Sequence, residues 1–134
     1  MPIRRLPVLA LVTLAAAGCA SATPAGLTGG RSARVSADWG EHEPRPAVVP
    51  VEHVFELTNR GTEPATIVAH RTPIDTIWHF ADTGDGRLPR SIAPGETVAV
   101  VVTAKVRRSG PQTRRVQLRL AGDEVIELEL LVDG

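Results

Sequence analysis

The 134-residue chain contains one cysteine, so no disulfide can form within it, and a hydrophobic core has to hold whatever fold it adopts. It has no excess of either charge, with 15 basic and 15 acidic residues. Nucleic-acid binding calls for a clearly basic face, and nothing here supplies one. Nor does the chain have an apolar run long enough to span a bilayer, which takes about 20 residues. No G-x-S-x-G elbow, phosphate loop or zincin motif occurs, and no internal repeat. No segment keeps a helical hydrophobic period. These absences lead us to expect a binding or structural chain that is not an enzyme and needs no cofactor.

The N-terminus is more specific. Met1-Pro2-Ile3-Arg4-Arg5 is a short basic opening, and Leu6 to Gly18 is apolar except for Thr13. That length suits the apolar region of a secretion signal. It ends in Leu14-Ala15-Ala16-Ala17-Gly18-Cys19, which resembles the bacterial lipobox apart from Ala16, where that motif usually has leucine. The resemblance implies a diacylglyceryl group on the Cys19 sulfur and cleavage before it. Two acyl chains make a stable anchor. The alternative is ordinary secretion, because Ala20-Ser21-Ala22 is an acceptable cleavage site and cutting there would release a protein without Cys19. The expected organisation is a lipoprotein signal at 1–18, a lipidated cysteine with a flexible small-residue tether at 19–32, and one domain at 33–134. Without Arg4 and Arg5 the body has 13 basic and 15 acidic residues, close to neutral. The expected place is the bacterial cell envelope, facing the periplasm or exterior.

After residue 32 the pattern is one of short alternating runs divided by Pro, Gly, Asn and Asp, which predicts strands. Glu96 to Val106 alternates most clearly, with Val98, Val100, Val102, Ala104 and Val106 on one face. Pro94-Gly95 before it suits a type II turn. Gln112–Leu120 and Glu124–Val132 predict a hairpin whose outward Arg115, Gln117 and Arg119 face Glu127 and Glu129. Val51 to Thr58 places Val51, His53, Phe55 and Leu57 inward. Arg34–Trp39, Ala65–His70 and Thr76–Phe80 complete about seven antiparallel strands. The expected fold is all-β, an immunoglobulin-like Greek-key sandwich, with a small closed barrel as the alternative. Residues 42–50 are Pro-rich and extended, suited to an edge that blocks sheet-to-sheet association or to a docking strip.

Asp38-Trp39-Gly40, then His53-Val54-Phe55-Glu56-Leu57-Thr58-Asn59-Arg60-Gly61, then Ile92-Ala93-Pro94-Gly95-Glu96 occur in that order. Together they resemble the bacterial family called domain of unknown function 1573. That family is similar to the immunoglobulin-like domains of major sperm protein and Hydin-type proteins. The resemblance covers roughly residues 33 to 132. It implies that Trp39 and Phe55 fill a core between sheets. Asn59 and Gly61 suit a turn with positive φ. Many members carry a Ser-Cys-Gly-Cys-Thr segment where this chain has Ala69-His70-Arg71-Thr72-Pro73, so a thiol role there does not transfer.

Three functions are distinguishable from these residues. One is a tethered module that binds an envelope protein, by a sheet edge or end loops. A second is a chaperone-like assembly accessory. A third is a metal site formed by His70 and His79 with Asp75 or Asp82, although their spacing matches no compact ligand motif. Asp82-Thr83-Gly84-Asp85-Gly86 has the flavour of a calcium loop but lacks an EF-hand's distant glutamate, and Asp-Gly is a turn signal in its own right.

Overall fold

The structure is a computed structural model, and it describes residues 26–40, 45–108 and 110–133. The lipobox and Cys19 lie outside the described residues. Among those that are described there is no helix, and nine strands form two sheets. They are β1 (Leu27–Gly29), β2 (Ser32–Ser36), β3 (Val48–Asn59), β4 (Ala65–Arg71), β5 (Thr76–Phe80), β6 (Arg90–Ile92), β7 (Thr97–Arg107), β8 (Gln112–Leu120) and β9 (Val125–Asp133). One sheet has the order β1-β3-β7-β5 and the other β2-β9-β8-β4-β6.

Alternation explains why these segments are strands and which face each one buries. Along β3 the odd residues Val49, Val51, Phe55 and Leu57 are buried and the even ones exposed or partly so. Along β7, Val98, Val100, Val102, Ala104 and Val106 turn inward. Val116, Leu118 and Leu120 on β8 meet Ile126, Leu128, Leu130 and Val132 on β9. All belong to one apolar cluster shared by both sheets, the dry layer that a two-sheet fold needs. Fully burying one such side chain contributes roughly 1.5–3 kcal/mol, so these rows supply most of the driving force.

The β8–β9 hairpin pairs Arg115 with Glu129 and Gln117 with Glu127 in register. Arg115 Nε lies 3.0 Å from Glu129 and 3.5 Å from Glu127. These groups are largely solvated, so their value lies in opposing slipped registers more than in energy.

The structure departs from the expected seven antiparallel strands in three places. First, β2 runs parallel to β9, pairing Ser32 with Glu129 through Ser36 with Asp133. It also ends before Trp39, which packs against the core from the following loop. Second, the three residues of β6 pair with β4 in a stretch too short to show alternation. Third, residues 27–29, assigned above to the flexible tether, form β1 against the end of β3. Leu27 is only 1% exposed and joins the core. Residues 27–29 and Ser32 are therefore part of the sheets and not of a flexible tether. Pro50 sits within β3 and not in a separate strip.

Replacing Leu27 with Ala is expected to lower the unfolding free energy by about 2–5 kcal/mol, the usual result for a buried leucine. Urea denaturation of the full chain measures it. A tether residue would change stability by no more than about 0.5 kcal/mol.

Candidate functional site

The motif residues of the sequence occupy structural positions. Asp38 accepts a hydrogen bond from the Gly40 amide at 3.0 Å, and Gly40 has φ +83°. Trp39 lies below the Arg108 guanidinium, 5.8 Å from its ring centre. His53 meets Phe55 edge-on at 4.8 Å, on the inward side of β3. Pro94 and Gly95 form the turn into β7. Gly95 has φ +85°, and the Glu96 amide bonds the Ala93 carbonyl at 2.9 Å. Asn59 and Gly61 do not take positive φ as the turn reading expected. Asn59 is instead fully buried, and its side chain makes the local bonds that a tight turn would have made.

The metal reading of His70 and His79 is not what the geometry assembles. Trp78 and His79 are successive residues of β5, so their side chains leave opposite faces. Trp78 packs against the core, and His70 meets it edge-on at 5.4 Å. His79 is paired with Val101, on the outer side of the first sheet. The nominated carboxylates are already engaged. Asp75 receives the Arg114 Nε at 3.1 Å on both of its oxygens. Asp82 receives Arg90 at 3.0 and 2.7 Å. Among the described residues no group of three His, Cys, Asp or Glu is disposed to hold a metal ion. In the loop that resembled a calcium site, Asp85 accepts from Thr83 Oγ1 and from the Arg87 amide, which are the bonds of a turn.

His70 lines an open cleft of about 270 Å³ with Thr72, Thr76, Ile77, Trp78 and Gly86, and also one of about 380 Å³ with Arg71, Gln117 and Arg119 among others. His70 Nδ1 lies 2.8 Å from Thr72 Oγ1. This places a hydroxyl beside an imidazole. No carboxylate bonds the ring among the described residues, so the third group that orients a base in nucleophilic catalysis is missing from the pair.

A second feature was not legible in the sequence as a site. β1 pairs with β3 only through Leu57, Thr58 and Asn59. The chain then leaves this sheet at Gly29 and Gly30 to form β2 in the other. The tightness of this departure requires glycine: a Cβ on Gly29 would sit 2.0 Å from the Glu56 carbonyl oxygen. Beyond it lies a cleft of about 550 Å³ beside β3, lined by Gly30, Ser32, His53, Val54 and Glu56 among others. Val54 is 45% exposed there.

No family model matches the chain, and no curated protein does. Solved structures do share its fold. The VesB protease of Vibrio cholerae aligns at 17% identity with a TM-score of 0.58, over 81% of this chain and 32% of its own. The secreted serine protease VesC of the same organism aligns at 12% and 0.55, over 81% of this chain and 23% of its own. A protein of unknown function from Porphyromonas gingivalis W83 aligns at 8% and 0.60, over 86% of this chain and 50% of its own. The chain thus spans half or less of each of these proteins. The likeness corrects the expectation that the chain is not an enzyme: its fold occurs within two proteases, so absence of a catalytic motif does not set it apart from enzymes.

The Arg90 guanidinium holds the Asp82 carboxyl below its ordinary value, by hydrogen bonding first and charge second. A depressed carboxylate stabilises the fold above its unfolded pKa, and that contribution is lost as pH falls through the folded value. Asp82→Asn is therefore expected to lower the melting temperature at pH 7 and to match the wild type once the pH is well below about 4. Thermal melts between pH 7 and pH 2.5 test this. A gap that persists in acid would assign the effect to something other than the ion pair.

Proposed function

We propose that the chain is an envelope lipoprotein in which a lipid on Cys19 holds an immunoglobulin-like Greek-key domain that binds another envelope protein. Support for the fold comes from the strand orders. The order β1-β3-β7-β5 corresponds to the A-B-E-D sheet of an immunoglobulin domain, and β9-β8-β4 to its G-F-C sheet. A place beside the domain of unknown function 1573 family rests on the three motifs given above.

The observation that carries the binding reading is the part of β3 whose edge away from β7 has no hydrogen-bonded strand among the described residues. A partner's strand gains main-chain hydrogen bonds at such an edge without any change of fold. Anchoring follows from the lipobox. Cys19 precedes the first described residue, Gly26, by seven positions, a reach of at most about 25 Å. The Gly26 amide bonds Asn59, at the end of β3 where β1 begins. This proposal therefore turns the Asn59 end of the domain towards the bilayer and leaves the Arg107 end of β3 and β7 outermost.

Growth with a radiolabelled fatty acid is expected to label the wild-type chain in its native host and not Cys19→Ala, which stays unanchored in the soluble envelope fraction. A wild-type chain that takes up no label would remove the anchor.

A further inference from the structure

The open part of β3 has a definable chemistry. In an antiparallel ladder each residue's amide and carbonyl point either to one neighbour or to the other. The Lys105 amide bonds the Asp75 carbonyl at 2.9 Å, on the β5 side of β7. Lys105 is paired with Pro50 on the other side, so Pro50 points away from β7. By alternation Glu52 and Val54 point the same way. Pro50 occupies a position where its missing amide costs no bond, as proline does at sheet edges. On that side β1 reaches only to Leu57, and the Glu56 carbonyl lies against Gly29. The amides and carbonyls of Glu52 and Val54, with the Pro50 carbonyl, are therefore an unpaired strand edge among the described residues.

The side chains around this edge alternate. His53 and Phe55 face the interior, beside the cleft that opens where β1 departs. Glu52, Val54 and Glu56 face outward. The Glu52 carboxylate touches only Thr103 Oγ1, at 3.3 Å, and Glu56 has no side-chain partner among the described residues. A strand added here would place two residues inward against His53 and Phe55. Its three outward residues would lie beside Glu52, Val54 and Glu56.

We propose that this edge takes up an extended segment of a partner protein with basic residues at its first and fifth positions and apolar or β-branched residues between them. The proposal rests on the binding reading above and names the partner's chemistry. Charge complementarity selects this occupant. A second copy of the chain, paired β3 to β3 about Val54, would put Glu52 opposite Glu56 twice, and like charges directly opposite destabilise a sheet. Pro50 and β1 bound the window, which limits the added strand to about five residues.

The test uses the full chain in detergent micelles and the peptide acetyl-Lys-Val-Thr-Val-Lys-amide, with an acidic counterpart carrying Glu in place of Lys. NMR is expected to show the Glu52 and Val54 amides shifting with the basic peptide, and their hydrogen exchange slowing at least tenfold at saturation. Added salt is expected to weaken the complex. Val54→Pro removes an amide that faces away from β7, as Pro50 does, so it is expected to abolish binding while the melting temperature stays within a few degrees. The pair Glu52→Lys and Glu56→Lys is expected to move the preference to the acidic peptide, and it keeps the proposal testable if Val54→Pro misfolds. In solution, any of four results would overturn the proposal: no shift at millimolar basic peptide, equal binding of both peptides, slow exchange of the Glu52 and Val54 amides before any peptide is added, or a dimer formed through this edge. Crosslinking in the native envelope separates the two levels of the argument. Crosslinks confined to another face overturn the edge proposal and leave the binding reading, whereas a domain that crosslinks to nothing overturns both.

Discussion

The side-chain amide of Asn59 gathers the chain together at one end of the molecule. It is fully buried, yet all of its hydrogen-bonding capacity is used. Its nitrogen donates to the Glu63 carbonyl at 2.8 Å and to the Ile92 carbonyl at 2.9 Å. Its oxygen accepts the Gly26 amide at 3.2 Å and the Gly61 amide at 2.9 Å. Its backbone adds bonds to the Glu96 carbonyl and the Gly95 amide. One residue thus ties the entry to β1, the turn from β3 to β4, the end of β6 and the turn into β7. Ile92 belongs to the second sheet and Asn59 to the first, so the bonds also hold the two sheets together. Aspartate would lose both donations, leucine would leave four polar groups unpaired, and glutamine is one methylene too long. Such a network is worth most when every member is satisfied, as here.

That clamp shapes the rest of β3. The strand is twelve residues long, but β1 covers only its last three. The chain then crosses to the other sheet to form β2, and among the described residues the remainder of β3 is left with one hydrogen-bonded neighbour, β7. Two charged pairs elsewhere serve cohesion. Arg114 holds Asp75, linking β8 to the segment before β5, and Arg90 both pairs with Asp82 and lies 4.6 Å over the Phe80 ring. Among the described residues, the exposed part of β3 and the cleft beside His70 are two of the surfaces left with unspent bonding capacity; β2, β5 and β6 also end their sheets. The β3 edge is the better defined, because backbone groups aligned on a strand have fixed directions.

The long strands were legible in the sequence because period-two alternation survives any context. Phe55, Val100, Leu118 and Leu130 each fall on the inward face that the pattern assigns. Short elements were not. Leu27-Thr28-Gly29 is indistinguishable from a flexible Gly- and Thr-containing tether until β3 is there to pair with it, and three-residue β6 carries no period at all. The parallel pairing of β2 depends on the crossover at Gly29 and Gly30, which no local signal encodes. Asn59-Arg60-Gly61 does turn the chain, but without positive φ: the Asn59 side chain is buried and accepts the Gly61 amide, and residue type alone does not show that burial. The histidine pair failed on strand geometry, since Trp78 takes the side that His79 would have needed. The open edge left one trace, Pro50 within an otherwise regular strand. The fold's presence in two proteases left none, because at 12–17% identity the shared feature is architecture and not residue type.

The most direct test of this account is the unfolding free energy of Asn59→Ala, measured by urea denaturation of the full chain beside the neighbouring exposed control Arg60→Ala. An unpaired buried polar group costs about 1–3 kcal/mol, and this substitution strands several at once, so a loss of at least about 3 kcal/mol is expected, with the control within about 0.5 kcal/mol. An Asn59→Ala protein as stable as the control would contradict the claim that this amide holds the two sheets together.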